Sequence, residues 1–220
     1  MAVARYLTPE ERTKLLSELP DSRDQLLVAL GLNTGLRITE ILRLTWRQLV
    51  HADGRPRGML EVARRNLKGG RSVHAKRVAS REIPLNAAAA AAIRRHAFAL
   101  HGSAPPPNLD GAVFRSRRRD GRPICREHAY ALINAAARRA GLEGSIGTHS
   151  LRRGFATDIY RMTHDLTAVQ CLLGHRHFNT TAQYVRPRQE ELFELCHRLG
   201  EVPTASAAVA LPATPATQSL

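Results

Sequence analysis

Apolar residues recur at helical spacing along most of the chain, and this pattern predicts a largely helical protein. The first predicted helix covers residues 8–19, where Thr8-Pro9-Glu10-Glu11 places a capping hydroxyl before a proline and two acids. The next covers 22–32 and is rich in Leu and Val, so it is expected to be buried. Further helices are predicted at 37–50, 86–100, 126–140, 150–162, 166–173 and 189–199.

The last residues of the chain have a different composition. Residues 201–220 are mostly Ala, Pro, Thr and Ser, with a single charge at Glu201. A segment of this kind has too few large apolar side chains to form a packed core. We therefore expect one folded domain over residues 1–200, followed by a disordered Ala/Pro/Thr-rich tail.

The charge balance points to a polyanionic partner. The chain has 33 Lys and Arg residues against 19 Asp and Glu residues, which gives a formal net charge of +14. Nucleic acid is the partner that fits this charge best. No stretch approaches the roughly 20 apolar residues of a spanning helix, so no membrane partner is expected. The sequence also has no signal peptide at its N-terminus.

Cysteine and histidine usage gives no sign of a disulfide framework or a metal site. Cys125, Cys171 and Cys196 are odd in number and widely spaced. His175 and His177 have no nearby Cys or Asp that would complete a ligand shell. The sequence therefore predicts no metal, no other cofactor, and a cytoplasmic, nucleoid-associated protein.

Candidate chemistry concentrates at Arg37 and in the segment that begins at Thr148. A phosphodiester under attack gathers negative charge on its non-bridging oxygens, and a planar guanidinium matches two of those oxygens. Arg37 and Arg152 suit this role, and His149 stands three residues before Arg152, on the same face of a helix. His175 follows a glycine at a predicted helix end, where it can donate a further hydrogen bond.

Tyr184 is the candidate nucleophile. A phenol has an unperturbed pKa of about 10, so it needs a base or an electropositive pocket, and the arginines and histidines supply both. The chain also contains three other tyrosines, at positions 6, 130 and 160, and a lone tyrosine is usually a core or boundary residue. Glu40 lies one turn after Arg37, where it either orients a neighbouring cation or forms a surface ion pair worth little.

These residues, in this order and local spacing, resemble the catalytic domain of the tyrosine recombinases (phage integrase family) over roughly residues 5–200. The resemblance implies a mainly α fold with a small antiparallel β-sheet (α+β). It also implies that Tyr184 attacks the scissile phosphate, forming a 3′-phosphotyrosyl intermediate and releasing a 5′ hydroxyl. Arg37 and Arg152 would stabilise the transition state, His149 would act as acid or base, and His175 would position the phosphate.

The family pattern also includes a lysine on a strand hairpin, the general acid for the leaving oxygen. Residues 60–62 and 80–85 are predicted as the two strands, and a long basic connection joins them. Lys76 is favoured because its position before the second strand matches the family's lysine register. Lys68 precedes Gly69-Gly70 at a predicted turn and is the alternative, or else a contact to the DNA backbone.

Other basic residues are candidates for DNA contact. The arginine cluster at 117–119 is either a DNA-backbone patch or a solvated loop, and the basic charge of the chain supports DNA contact at least as well as solvation. Arg153 stands where many relatives have histidine. The predicted DNA-binding residues are Lys68, Arg71, Arg117, Arg118, Arg119 and Arg153.

The resemblance thus implies a site-specific DNA recombinase of the integrase or invertase type, acting on double-stranded DNA. Family members typically synapse as homotetramers, and a monomer is expected in the absence of DNA. No core-binding domain is expected before the predicted catalytic domain. Three interpretations follow: a small recombinase that inverts a promoter segment, a truncated integrase from a mobile element, or a protein that relies on an accessory DNA-binding protein. Two alternatives remain: a type IB topoisomerase-like enzyme, and a catalytically degraded integrase that only binds DNA.

Overall fold

The computed structural model describes most of the chain up to residue 182. The described residues are 5–62, 80–116, 122–175, 178–182, 192–193 and 196–198. The chain divides into two compact units, Met1–Val185 and Arg186–Leu220. All of the elements named below lie in the first unit.

Helices dominate the described residues. The helices are α1 Pro9–Ser17, α2 Ser22–Thr34, α3 Ile38–Ile41, α4 Trp46–Leu49, α5 Ala87–His101, α6 Arg126–Arg139, α7 Thr148–Thr163, α8 Leu166–Leu173 and α9 Phe178–Ala182. Two strands, β1 Met59–Val62 and β2 Arg81–Pro84, pair antiparallel with Leu60 opposite Ile83. The fold class expected from the sequence, mainly α with a small antiparallel sheet, is confirmed.

Side chains cap the N-terminal ends of several helices. Thr8 Oγ1 accepts a hydrogen bond from the Glu11 backbone N–H at 3.3 Å, and Glu11 Oε2 accepts one from the Thr8 N–H at 3.0 Å. This reciprocal pair is a capping box, and Pro9 occupies the first turn. Asn86 Oδ1 accepts from the Ala89 N–H at 2.9 Å at the start of α5. Both predicted helix starts are therefore confirmed.

Helix α2 is the centre of the core. Leu26, Leu27 and Leu30 are fully buried, and the helix packs against α5 and α7. It ends at Gly35, whose φ of 59° lies in the left-handed region that favours glycine. A Cβ at Gly35 would meet the Phe155 ring and would lie 2.8 Å from Leu173 Cδ2. The C-terminal end of α2 is therefore held against α7 and α8, where the candidate site lies.

The single helix predicted over residues 37–50 is wrong, because the chain forms two short helices there, separated by a turn and the extended residue Thr45. Thr45 pairs with Ala112 in an isolated antiparallel bridge, and the Leu44 carbonyl accepts from the Val113 N–H at 3.1 Å. The Thr45 N–H then donates to Gln48 Oε1 at 3.0 Å, which caps α4. Pairing with the neighbouring extended segment takes backbone groups that a continuous helix would have used.

The remaining boundaries agree with the sequence to within about two residues. Helix α7 begins at Thr148, slightly earlier than predicted, so His149 and Arg152 lie on one helix. Helix α8 has the predicted bounds, and the residue that follows it, Gly174, adopts a left-handed φ of 62°. The helix predicted over 189–199 lies mostly outside the described residues. The tail at 201–220 lies entirely outside them.

Candidate active site

Arg152 is the most deeply buried cation of the site, at 2% exposure. Its Nη1 donates to the Gly35 carbonyl at the end of α2. Its Nη2 donates to the Leu173 carbonyl at 2.9 Å and lies 2.8 Å from His175 Nε2. Because these acceptors belong to different elements, the orientation of the guanidinium is fixed by the packing of α2, α7 and α8.

His175 is held in one orientation directly after α8. Its backbone N–H donates to the Gln170 carbonyl at 3.1 Å, and Gln170 Nε2 donates back to the His175 carbonyl at 3.0 Å. Arginine has only donors, so His175 Nε2 must accept from Arg152. The ring proton is then on Nδ1 and is donated to Thr181 Oγ1 at 3.0 Å. Arg152 therefore sets the tautomer of His175, and Thr181, on α9, accepts the remaining ring proton.

Arg37 and Glu40 form an ion pair at the start of α3. Glu40 Oε1 accepts from Arg37 Nη1 at 3.0 Å, and Oε2 accepts from the Arg37 backbone N–H at 2.8 Å. The Glu40 side chain has no exposed surface, whereas that of Arg37 is 30% exposed. The pair is therefore not a surface ion pair, and the buried carboxylate is placed to orient the guanidinium, a role that stays a prediction. The guanidinium faces solvent while its carboxylate partner is buried beneath it.

Arg81, the first residue of β2, also belongs to the site, although the sequence analysis did not select it. Its side chain is 12% exposed, and its Nη2 lies 3.4 Å from Glu40 Oε2. Its Nη1 donates to the Leu173 carbonyl, the same acceptor that Arg152 uses. The sequence did contain a signal, since strand alternation places Arg81 on the face of Ile83, which is 1% exposed. An arginine on the inner face of a strand needs buried acceptors.

The described part of the site is strongly electropositive. Three guanidiniums, from Arg37, Arg81 and Arg152, are linked through one buried carboxylate and one helix-terminal carbonyl. Among the residues of this cluster that the structure describes, Glu40 is the single carboxylate. Such an excess of positive charge in a partly desolvated setting favours binding of an anion, and arginines match phosphate oxygens in particular.

The same charges keep His175 neutral. Burial first, and then the three neighbouring guanidiniums, lower the pKa of the His175 imidazole from 6.5 to about 4. A protonated ring would have no lone pair for Arg152 and would add a positive charge beside it. His175 therefore acts as a hydrogen-bond acceptor for Arg152 at neutral pH.

This shift predicts a pH dependence of stability. Between about pH 6.5 and about pH 4 the unfolded His175 binds a proton that the folded one does not, so the free energy of unfolding falls as pH falls. We expect a larger loss between about pH 7 and about pH 5 in the wild type than in His175→Gln. Urea denaturation at both values measures this, with exposed His51→Gln as the matched control. Equal losses in the wild type and His175→Gln would contradict the pKa shift.

Of the other predicted site residues, the structure describes His149 and Arg153. His149 is exposed on α7, one turn before Arg152, and within the described part of the chain its side chain makes no hydrogen bond. Arg153 is half-buried on the same helix. The following predicted residues lie outside the described residues, and their roles stay predictions: Lys68, Arg71, Lys76, Arg117, Arg118, Arg119 and Tyr184.

The described residues offer no obvious metal site and no membrane span. Within the ranges that the structure covers, no group of three or more His, Cys, Asp or Glu side chains is arranged to hold a metal ion. In the same ranges, no helix is both long enough and apolar enough to cross a bilayer.

Comparison with known proteins agrees with this fold. The model of the phage integrase family matches residues 5–191. The tyrosine recombinase XerD of Corynebacterium glutamicum is 31% identical over 175 residues, covering 80% of this chain and 52% of XerD. The crystal structure of XerA recombinase superposes with a TM-score of 0.68 at 22% identity, covering 88% of this chain and 64% of that one. XerH site-specific recombinase bound to difH substrate, in a pre-cleavage complex, gives a TM-score of 0.63 at 24% identity, covering 89% of this chain and 54% of that one.

The fold is that of solved recombinase structures, and the family match gives the class of this chain. The chain belongs to the phage integrase family, the family of the tyrosine recombinases. The chain spans about half the length of the curated relatives it matches. At the identities of the solved structures, the structural likeness shows the fold alone.

Proposed function

We propose that this protein is a site-specific DNA recombinase that cleaves and rejoins double-stranded DNA through a 3′-phosphotyrosyl intermediate. The observation that carries the proposal is the convergence of Arg37, Arg81 and Arg152 on a buried carboxylate and a shared carbonyl. This cluster is suited to a phosphodiester whose negative charge grows during attack. It is found on a chain of the phage integrase family, and a structure similar to this chain, XerH site-specific recombinase, is bound to difH substrate.

In the proposed cleavage step, Tyr184 Oη attacks the scissile phosphorus and the bond from phosphorus to O5′ breaks. His149 takes the phenol proton, which its exposed position on α7 allows. Lys76 gives a proton to the departing 5′ oxygen, and Arg37 and Arg152 bind the non-bridging oxygens. Rejoining is the reverse reaction: the 5′ hydroxyl of another strand attacks the phosphotyrosine, so the step needs neither ATP nor a metal.

His175 fits a role that differs from direct phosphate contact. Its Nε2 lone pair already accepts from Arg152, and its Nδ1 proton is donated to Thr181. In this arrangement the ring presents no spare donor to a phosphate, so it acts by holding the guanidinium of Arg152. The proposal therefore assigns Arg152 the phosphate contact and His175 the support of that contact.

Strand exchange between two duplexes requires two cleavage events in each duplex, and each event uses one protomer. We therefore propose that the protein acts as a homotetramer on DNA, assembled from monomers. An accessory DNA-binding protein is a further proposed partner, and the proposed place of action is the nucleoid in the cytoplasm.

The phage integrase match and the Xer relatives give no support to the type IB topoisomerase alternative.

Covalent trapping on nicked suicide substrates tests the proposed function. The substrates are duplexes from the flanks of this gene's own genomic neighbourhood, incubated with the protein in the presence of a metal chelator. We expect a protein-DNA adduct on a denaturing gel with a subset of these sequences. Adducts at similar yield on every sequence would indicate topoisomerase-like cleavage. Salt-sensitive binding without any adduct would indicate a protein that only binds DNA.

The basic composition predicts a steep salt dependence of DNA affinity. With a formal net charge of +14, phosphate contacts are expected to dominate binding. A protein with roughly six to ten such contacts loses about 10³–10⁵ in affinity between about 50 mM and about 200 mM salt. Fluorescence anisotropy titrations measure the slope of log K against log salt, and Arg118→Ala should reduce its magnitude by about 1. A nearly flat slope would contradict an extended basic interface.

A further inference from the structure

Arg81 is a buried arginine whose position needs an explanation. Removing a guanidinium from water is costly unless its donors find acceptors. Arg81 Nε is buried and has no hydrogen-bond partner among the described residues. The hydrogen bonds of Arg81 therefore do not fully compensate for the burial of its guanidinium. Its two terminal nitrogens, in contrast, each reach an acceptor that also serves another arginine.

The first shared acceptor is the Leu173 carbonyl, which takes hydrogen bonds from Arg81 Nη1 and Arg152 Nη2. This carbonyl is at the C-terminal end of α8, where the helix leaves partial negative charge. Two guanidiniums on one carbonyl fix its direction more tightly than one. Arg81 therefore helps to determine where the acceptor of Arg152 lies.

The second shared acceptor is the Glu40 carboxylate. Its Oε1 accepts from Arg37 Nη1 at 3.0 Å, and its Oε2 lies 3.4 Å from Arg81 Nη2. Since Glu40 has no exposed surface, water cannot replace Arg81 on this carboxylate without a change in packing. Arg81 thus neutralises and orients the group that holds Arg37.

The backbone at Gly174 is shaped to admit the Arg81 side chain. A Cβ at Gly174 would lie 3.1 Å from Arg81 Cδ and would collide with Nη1. Gly174 also has a φ of 62°, which disfavours other residues. The close approach of Arg81 to the end of α8 is therefore built into the turn that precedes His175.

From these contacts we propose that Arg81 is a positioning residue for cleavage, which sets the orientation of Arg37 through Glu40 and of Arg152 through the Leu173 carbonyl. Arg81 does not itself bind the phosphate. It also joins β2, the strand that follows the connection with the predicted lysine, to the arginine site. The proposal rests on the proposed recombinase function, since it concerns the same phosphate-binding arginines.

The test separates DNA binding from the cleavage rate. Arg81→Ala, Arg81→Lys and the control Arg47→Ala are compared with wild type by DNA affinity and by single-turnover adduct formation at saturating protein. Arg47 is a suitable control because it pairs with Asp110 and its side chain is 57% exposed. A small misplacement of catalytic groups costs on the order of 10²-fold, so we expect Arg81→Ala to lose about that factor in rate with little change in Kd.

Rescue experiments distinguish positioning from general structural support. Added guanidinium ion should restore part of the Arg81→Ala rate, because it can occupy the vacated position between the two acceptors. Arg81→Lys should lose about 10-fold, since an ammonium keeps the charge but lacks the planar fork that spans both acceptors. Thermal melting checks that each variant is folded, and if Arg81→Ala is unfolded the Arg81→Lys rate decides.

The outcomes are distinct for the two proposals. One result is that the wild type forms the adduct and the folded Arg81 variants cleave at the same rate as the wild type. That result would overturn the positioning role and leave the recombinase function standing. A loss in DNA affinity with an unchanged cleavage rate at saturating protein would also overturn the positioning role. If the wild type forms no adduct on any substrate, the recombinase function fails and the role of Arg81 in cleavage fails with it.

Discussion

Replacing Tyr184 with phenylalanine is expected to abolish covalent attachment to DNA while leaving DNA affinity unchanged. The substitution removes the hydroxyl that would form the bond to phosphorus and keeps the ring. A phenyl ring has no nucleophilic atom to attack phosphorus, so the loss should be complete rather than partial. Adduct formation on suicide substrates measures the effect, and anisotropy measures the retained affinity.

The matched control is Tyr160→Phe, on α7, where the ring packs edge-on against His164 at 5.9 Å between centroids. Adduct formation should be unchanged in this variant. Tyr6 is a poor alternative nucleophile, because burial first and then the Asp158 charge raise its pKa. Its hydroxyl also donates to Asp158 at 3.1 Å. Adducts in Tyr184→Phe would contradict the assignment.

Arg152→Ala is expected to lower the cleavage rate by about 10²–10³, the usual effect of removing one preorganised donor from a transition state. The reason lies in its anchoring to the Gly35 carbonyl, the Leu173 carbonyl and His175. These contacts hold the guanidinium before substrate arrives, so it does not need to reorganise during the reaction. Single-turnover adduct formation at saturating protein gives the rate.

Arg152→Lys should be almost as impaired, because an ammonium on a flexible stem cannot reproduce contacts to three acceptors in different directions. Arg47→Ala removes the same charge from an exposed ion pair and should cleave at the wild-type rate. Thermal melting is needed alongside, since Arg152 is buried. A folded Arg152→Lys variant with wild-type cleavage would contradict the proposed role of the guanidinium.

Much of the fold was predictable because its signals are local. The capping box at Thr8 and Glu11, the Asn86 cap and the left-handed Gly174 each depend on a few neighbouring residues. Apolar periodicity then identified the buried helices, including α2. The break between α3 and α4 was missed because its cause is not local: Thr45 pairs with Ala112, which is distant in sequence.

The site was predictable only in part, for a related reason. Arg37, Arg152 and His175 were identified by the chemistry of their residue types, and the structure brings them together around shared acceptors. Arg81 was missed because its partners are a carboxylate on α3 and a backbone carbonyl at the end of α8. Strand alternation indicated that Arg81 lies on the inner face of β2, but backbone carbonyls have no sequence signature, so its contacts become visible only once the chain is folded.

The most direct test of the central claim is to identify the residue that carries the DNA in a trapped adduct. The adduct is digested with nuclease and protease, and the peptide that retains a nucleotide is sequenced by mass spectrometry. The proposed mechanism predicts a nucleotide joined through its 3′ phosphate to Tyr184. A nucleotide on Tyr6, Tyr130 or Tyr160, or on a residue other than tyrosine, would contradict it.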